Sequence, residues 1–165
     1  MEQLIELYGE YIYHLTFLYV KNKESAEEIT QDVFFTYAKK QQQFKGEANL
    51  KTYLTRIAIN RSYDELRKQK RKQMLEKVTP FMKHEQSAEQ NVMIQEDATS
   101  LKEHVLKLPI KYREMIILYY YEDYTVQEIA QLLQMSENTV RTRLRRAKEQ
   151  LKSQLGEWME EGLYE

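Results

Sequence analysis

The sequence predicts an all-α protein, built as two small helical domains joined by a flexible linker. Three observations carry that prediction. Only 4 Gly and 2 Pro occur in 165 residues, too little punctuation for a strand-and-turn architecture. Glu, Lys, Gln, Arg and Leu, all good helix formers, are abundant instead. Apolar residues recur at helical spacing up to about residue 70, lose that rhythm over about 72–98, and regain it from Leu101. With 42% apolar and 31% charged residues, there is enough apolar material for small cores and too much for a disordered chain.

A first helix, about 2–20, places Leu4, Leu7 or Tyr8, Tyr11, Leu15 and Leu18 at helical spacing. Lys21–Glu24 interrupts it. Ser25-Ala26-Glu27-Glu28 reads as a capping box, opening a helix to about Gln42 that buries Ala26, Ile29, Val33 and Tyr37. Phe44–Glu47 predicts a loop, and a third helix, about 48–70, carries Leu50, Leu54, Ile57, Ala58 and Leu66. Pro80 and an accumulation of Gln and Glu then predict a linker. Leu101, Val105 and Leu108 form the next helix. Pro109 separates it from another, in which Tyr112, Met115, Ile116 and Tyr119 face inward. Two short helices follow, about 126–133 and 137–154. The expected boundaries are a domain over 1–71, a linker over 72–100 and a domain over 101–165. Domains this small have cores of modest stability.

Composition also narrows the function classes. No apolar run approaches the roughly 18 residues of a membrane span. Glu2, Glu6 and Glu10 stand where a signal peptide would be basic. A soluble, cytoplasmic protein with no direct membrane insertion is expected. Without Cys there is no disulfide, thiolate metal site or thiol nucleophile. His14, His84 and His104 lack ligand spacing and no Gly-rich phosphate loop occurs, so neither metal nor cofactor is expected. The net charge of −1 conceals a segregation: residues 51–72 sum to +6 and 136–152 to +4. Two basic blocks on helices point to two contacts with a polyanion.

The second block belongs to the strongest local pattern. Thr125 with Glu128 makes a capping box, and Ala130 is small where two helices cross closely. Gln134-Met135 form a turn, and Ser136 caps the following helix. That helix keeps Val140, Leu144, Ala147 and Leu151 inward, while Asn138, Thr139, Arg141, Thr142, Arg145, Arg146 and Lys148 face out. This is a helix-turn-helix whose second helix suits the DNA major groove, with arginines able to bond guanine. Such turns often hold Gly where Gln134 stands; in a left-handed conformation the side chain costs roughly 1 kcal/mol.

The stretches 25–34 (SAEEITQDVF) and 53–67 (YLTRIAINRSYDELR) resemble domain two of bacterial sigma factors. Residues 108–115 (LPIKYREM), 124–130 (YTVQEIA) and 139–147 (TVRTRLRRA) look like domain four. Their order and spacing match the two-domain extracytoplasmic-function (ECF) group of the sigma-70 family. That resemblance implies a dissociable promoter-specificity subunit of bacterial core RNA polymerase, serving a stress or envelope response and held inactive by an anti-sigma protein. It implies that the helix at 25–42 docks on polymerase. Helix phase places Glu27, Glu28, Gln31, Asp32 and Phe35 on or near its outer side, and an exposed Phe among carboxylates suits a partner.

By the same resemblance, the third helix reads the −10 element of promoter DNA and captures the melted strand. Tyr53 and Tyr63 are candidate stacking platforms, although Tyr53 also fits a core aromatic. Lys51, Arg56, Arg61 and Arg67 would hold phosphates, and Asn60 and Asp64 would bond base edges. Asn138, Thr139, Arg141, Thr142, Arg145 and Arg146 would read the −35 element. The linker acids Glu85, Glu89, Glu96 and Asp97 would mimic nucleic acid in the polymerase channels, or simply solvate the tether.

Two other classes remain. A free-standing helix-turn-helix regulator would use only residues 101–152, but such regulators are usually dimers and no dimerising helix stands out. An enzyme would need Glu27, Glu28 and Asp32 to hold a divalent cation, with no His or second carboxylate cluster opposite them. The favoured expectation is a protein without catalytic residues.

Overall fold

The computed structural model describes residues 1–41, 49–78 and 99–156. The chain divides into two compact units, Met1–Val92 and Met93–Glu165. All regular structure among the described residues is helical.

In the first unit three helices pack on one another: α1 (Glu2–Val20), α2 (Lys23–Lys40) and α3 (Leu50–Val78). Along α1, Ile12, Leu15, Thr16 and Tyr19 form the innermost stripe. Stepping back four residues at a time from Ile12 reaches Tyr8 and Leu4, which are half-buried, and leaves Leu7 exposed. The inward residue of the Leu7/Tyr8 pair is therefore Tyr8. Thr16 ties α1 to α2: its hydroxyl donates to the Tyr13 carbonyl at 2.9 Å and the Ala26 carbonyl at 3.4 Å. Ala26, Ile29, Val33 and Tyr37 of α2 are buried as expected.

The start of α2 corrects the expected capping box. Lys21 turns left-handed (φ 58°) to end α1, which leaves Asn22 extended. Asn22 Oδ1 then accepts the Ser25 amide at 2.9 Å, so Asn22 is the cap. Ser25 sits within the first turn, and its hydroxyl reaches Glu65 of α3 at 3.2 Å.

Asn49 opens α3, its Oδ1 accepting the Lys51 amide at 3.0 Å. The predicted loop residues Phe44–Glu47 lie outside the described residues. Leu54, Thr55, Ala58, Ile59 and Ser62 bury one face of α3. Beyond that face the helix continues through Val78 with residues 71–78 all exposed, past the expected linker start at 72. Lys, Arg, Gln, Met, Leu and Glu favour helix intrinsically, and no Gly or Pro intervenes before Pro80. The acidic linker residues lie outside the described residues.

The second unit contains α4 (Thr99–Lys107), α5 (Ile110–Ile116), a single π-helical turn (Ile117–Tyr121), α6 (Val126–Leu133) and α7 (Glu137–Leu155). Val105, Leu108, Tyr112, Ile116, Ala147 and Leu151 form a core that joins α4, α5 and α7. Arg113 is buried and donates to the carbonyls of Leu106 and Leu108 at 3.1 and 3.0 Å, closing the end of α4. Tyr119, expected inward, is 37% exposed, while Tyr120 packs against the core. The π turn explains the change, because its wider winding carries the inward position from 119 to 120. No helix among the described residues is long and apolar enough to cross a membrane.

Candidate nucleic-acid interface

Local chemistry sets the α6–α7 angle. Thr125 Oγ1 accepts the Glu128 amide at 3.2 Å, and Glu128 Oε2 accepts the Thr125 amide at 2.7 Å, completing the predicted capping box. Ile129, Ala130 and Leu132 are buried. Gln134 is left-handed (φ 53°, ψ 50°), and the Met135 amide bonds back to the Ala130 carbonyl at 3.0 Å. Ser136 caps α7 by accepting the Thr139 amide at 3.1 Å. Val140, Leu144, Ala147 and Leu151 are all buried, which turns the opposite face of α7 outward.

Among the −35 candidates, Asn138, Arg141, Arg145 and Arg146 are exposed, and Thr139 and Thr142 are half-buried. The Thr139 hydroxyl is 2.8 Å from that of Ser136, so it belongs to the cap. Arg141 bonds Glu137 at 2.9 Å and Arg145 bonds Glu149 at 2.8 Å, both one helical turn apart. Such exposed pairs contribute only about 0.3–0.5 kcal/mol and exchange readily for other partners. The Arg146 guanidinium beside the Tyr112 hydroxyl, together with nearby Lys111, holds that phenol below its usual pKa of 10.0. Lys148 was expected on the outer face of α7, whereas Tyr119 and Lys152 were not. Lys148 stands 5.7 Å over the Tyr120 ring, and Tyr119, Arg145, Lys148 and Lys152 help line a groove of about 370 Å³ along α7. Periodicity alone gave no signal for the groove, since Tyr119 turns outward only through the π turn.

On α3, Tyr53, Arg56, Asn60, Asp64 and Arg67 follow one another at three- or four-residue steps and share the solvent face. Arg67 pairs with Asp64. Tyr63 sits at the edge of that face. Both tyrosines are half-buried, Tyr53 edge-on to Tyr37 at 6.2 Å and Tyr63 edge-on to Tyr19 at 6.1 Å. Each thus combines a core contact with an open side. Two candidates lie off the face. Lys51 holds its ammonium 4.3 Å over the Tyr11 ring, and Arg61 turns toward α2, donating to Thr36 Oγ1 at 3.3 Å.

On α2, Glu27, Glu28, Gln31, Asp32 and Phe35 are all exposed. Phe35 is 60% exposed, with the Lys39 ammonium 4.2 Å over its ring. No group of three or more His, Asp or Glu side chains among the described residues could hold a metal ion.

Two family models match the two units in order: Sigma-70 region 2 over residues 4–72 and Sigma-70, region 4 over residues 99–151. The ECF RNA polymerase sigma factor SigW of Bacillus subtilis is 30% identical over 162 residues, spanning 92% of this chain and 87% of that protein. This chain belongs to the ECF group of the sigma-70 family. RNA polymerase sigma factor SigV of the same organism is 31% identical over 144 residues, spanning 87% of this sigma factor and 83% of its own length. The fold has solved counterparts. Sigma factor RpoE in complex with the anti-sigma factor NepR from Bartonella quintana aligns with a TM-score of 0.73 at 22% identity, covering 92% of this chain and 94% of that one. CnrH, in complex with the cytosolic domain of CnrY, aligns at 0.65 and 19% identity, covering 93% and 86%. In this sigma factor the region 2 match spans most of α1, all of α2 and most of α3, and the region 4 match spans α4 through most of α7.

Proposed function

We propose that this sigma factor joins bacterial core RNA polymerase in the cytoplasm, directs it to specific promoters and initiates transcription there. One observation carries the mechanism: a doubly capped helix-turn-helix presents an arginine-rich face on α7, in a chain that matches both sigma-70 regions in order. In this mechanism α7 enters the major groove at the −35 element. Arg141, Thr142, Arg145 and Arg146 bond bases or phosphates, with Asn138 and Thr139 at the helix start. The outer face of α3 takes the −10 element. Arg56 and Arg67 hold the backbone, Asn60 and Asp64 bond base edges, and the open sides of Tyr53 and Tyr63 stack on unpaired bases. Lys51 and Arg61 support that surface from its flanks. The stripe from Glu27 to Phe35 on α2 faces the polymerase.

RNA synthesis belongs to polymerase, so the chain acts by binding alone and needs no cofactor of its own. The proposed functional boundaries stay at 1–71, 72–100 and 101–165, although α3 itself crosses the first of them. An anti-sigma protein is the proposed inhibitory partner; the fold-level likeness to the NepR and CnrY complexes supports this.

Run-off transcription from a genomic fragment library, with core polymerase and this protein added separately and together, tests the proposal. Discrete transcripts only in the mixture are expected, and their start sites map both promoter elements. Absence of transcripts, with tight binding of one duplex by the protein alone, would instead identify a free-standing regulator.

A further inference from the structure

Arg143 differs from every other arginine on α7. It is only 31% exposed, and its Nη1 lies 3.6 Å from Oε1 of Glu114 on α5, a carboxylate that is 1% exposed. A carboxylate taken out of water is costly unless a cation and hydrogen bonds compensate it. The pair therefore resists separation more strongly than the exposed Arg141–Glu137 and Arg145–Glu149 pairs. Its geometry matters because Arg143 lies between Thr142 and Arg145, two of the candidate readers. The apolar contacts of Val140, Leu144, Ala147 and Leu151 decide which face of α7 turns inward. Such contacts are non-directional and tolerate small rotations or slides of a helix about its axis. A charge pair between a buried carboxylate on one helix and a side chain on another ties two defined points together, and it restricts that remaining freedom.

The geometry points to Glu114 and Arg143 as positioning residues for −35 recognition: their interhelical ion pair sets the rotation and depth at which α7 offers Thr142, Arg145 and Arg146 to the groove. Neither residue needs to touch DNA. The inference rests on the proposed use of α7 as the −35 reader, and its test separates the two.

Holoenzyme would be assembled from core polymerase and full-length protein. Its preference for a promoter mapped by run-off transcription, over the same promoter with a scrambled −35 element, would be measured by competition binding. Glu114→Gln and Arg143→Gln are each expected to lower that preference about tenfold, a coupling of ordinary size for residues acting through a neighbour. The double variant should lose no more than either single one, since both remove the same pair. Arg143→Lys, which restores a point charge to a single-contact pair, should keep most of the preference. Binding to the scrambled promoter and its salt dependence should stay as in the unmodified protein.

Additive losses, equal loss on both promoters, or a salt slope reduced by about one in Arg143→Gln would overturn the inference; the last would make Arg143 a phosphate contact. Helix content and unfolding midpoint are read alongside. If Glu114→Gln fails to fold, the two Arg143 variants carry the test at a half-buried position. Arg145→Ala separates the two levels. Should it leave the preference intact, the reading of α7 falls and this inference with it. Should it abolish the preference while the Arg143 variants do not, only the positioning role falls.

Discussion

Gln134 holds the helix-turn-helix corner in a left-handed conformation, φ 53° and ψ 50°, with an exposed side chain. A Cβ in that region meets its own backbone, at roughly 1–2 kcal/mol per residue. Gln134→Gly removes the strain and leaves every backbone bond of the corner available, including Met135 N–H to the Ala130 carbonyl. Against this, glycine gives the unfolded chain more freedom, about 0.4–1 kcal/mol at a single site. The exposed amide removes no packing when it is deleted. The balance is a net stabilisation of about 0.5 kcal/mol. Gln134→Val should go the other way, because a β-branched side chain tolerates this conformation worst. Because the chain forms two units, the readout must belong to this one. Native-state hydrogen exchange of the Val140 and Leu144 amides reports the opening free energy of α7 directly. Slower exchange in the glycine variant and faster exchange in the valine variant are expected. Faster exchange in Gln134→Gly would mean that the glutamine side chain supports the corner, and the strain argument would fail.

Asn22→Ala should cost the first unit about 1 kcal/mol as a lost cap; Ser25→Ala should cost less, and the reverse order in urea unfolding would return the cap to Ser25. Tyr112→Phe should remove a component that titrates below pH 10 from the alkaline tyrosine absorbance titration, because the adjacent Arg146 and Lys111 lower the Tyr112 pKa below 10.0. The lowered value implies that the folded protein binds fewer protons near that pH. The stabilisation is thus fully present above pH 10 and is lost as pH falls through the folded value. The unmodified protein should gain on Tyr112→Phe as pH rises toward 10, and a gap that narrows would contradict the lowered value. Arg141→Ala should cost roughly 1–3 kcal/mol of discrimination at one base pair of the −35 element. Equal weakening across promoters would make Arg141 a phosphate contact.

What the sequence made legible was whatever short-range chemistry decides. The Thr125–Glu128 box and the Ser136 cap act across three residues, so their bonds follow from spacing alone. The inward set of α7 and the exposed stripe of α2 follow equally from helix phase. Contests between near-equal local choices were not legible. Asn22 and Ser25 are comparable caps, and the left-handed Lys21 before them decides which one begins α2. Tyr119 and Tyr120 both follow Ile116 at helical distance, and only the π turn selects between them. In the candidate site, the outer residues of α3 were readable from phase, whereas the inward leanings of Lys51 and Arg61 depend on Tyr11 and Thr36 on other helices. The least legible feature was Arg113-Glu114. Two charged residues in sequence suggest a solvated face, yet both are buried, each meeting groups on different helices.

Two exposed arginines of α7 already have carboxylate partners: Arg141 has Glu137 and Arg145 has Glu149. On the proposed mechanism these weak bonds act as a filter. A nonspecific phosphate contact must first give up such a pair, which lowers its gain by about 0.3–0.5 kcal/mol. A bidentate guanine contact, worth roughly 1–3 kcal/mol of discrimination, exceeds the exposed pair it replaces, which contributes about 0.3–0.5 kcal/mol. Nonspecific affinity is therefore reduced more than selectivity. That balance suits a subunit that must find promoters as part of polymerase without coating DNA alone, and it makes the acids of α7 as much a part of recognition as its arginines.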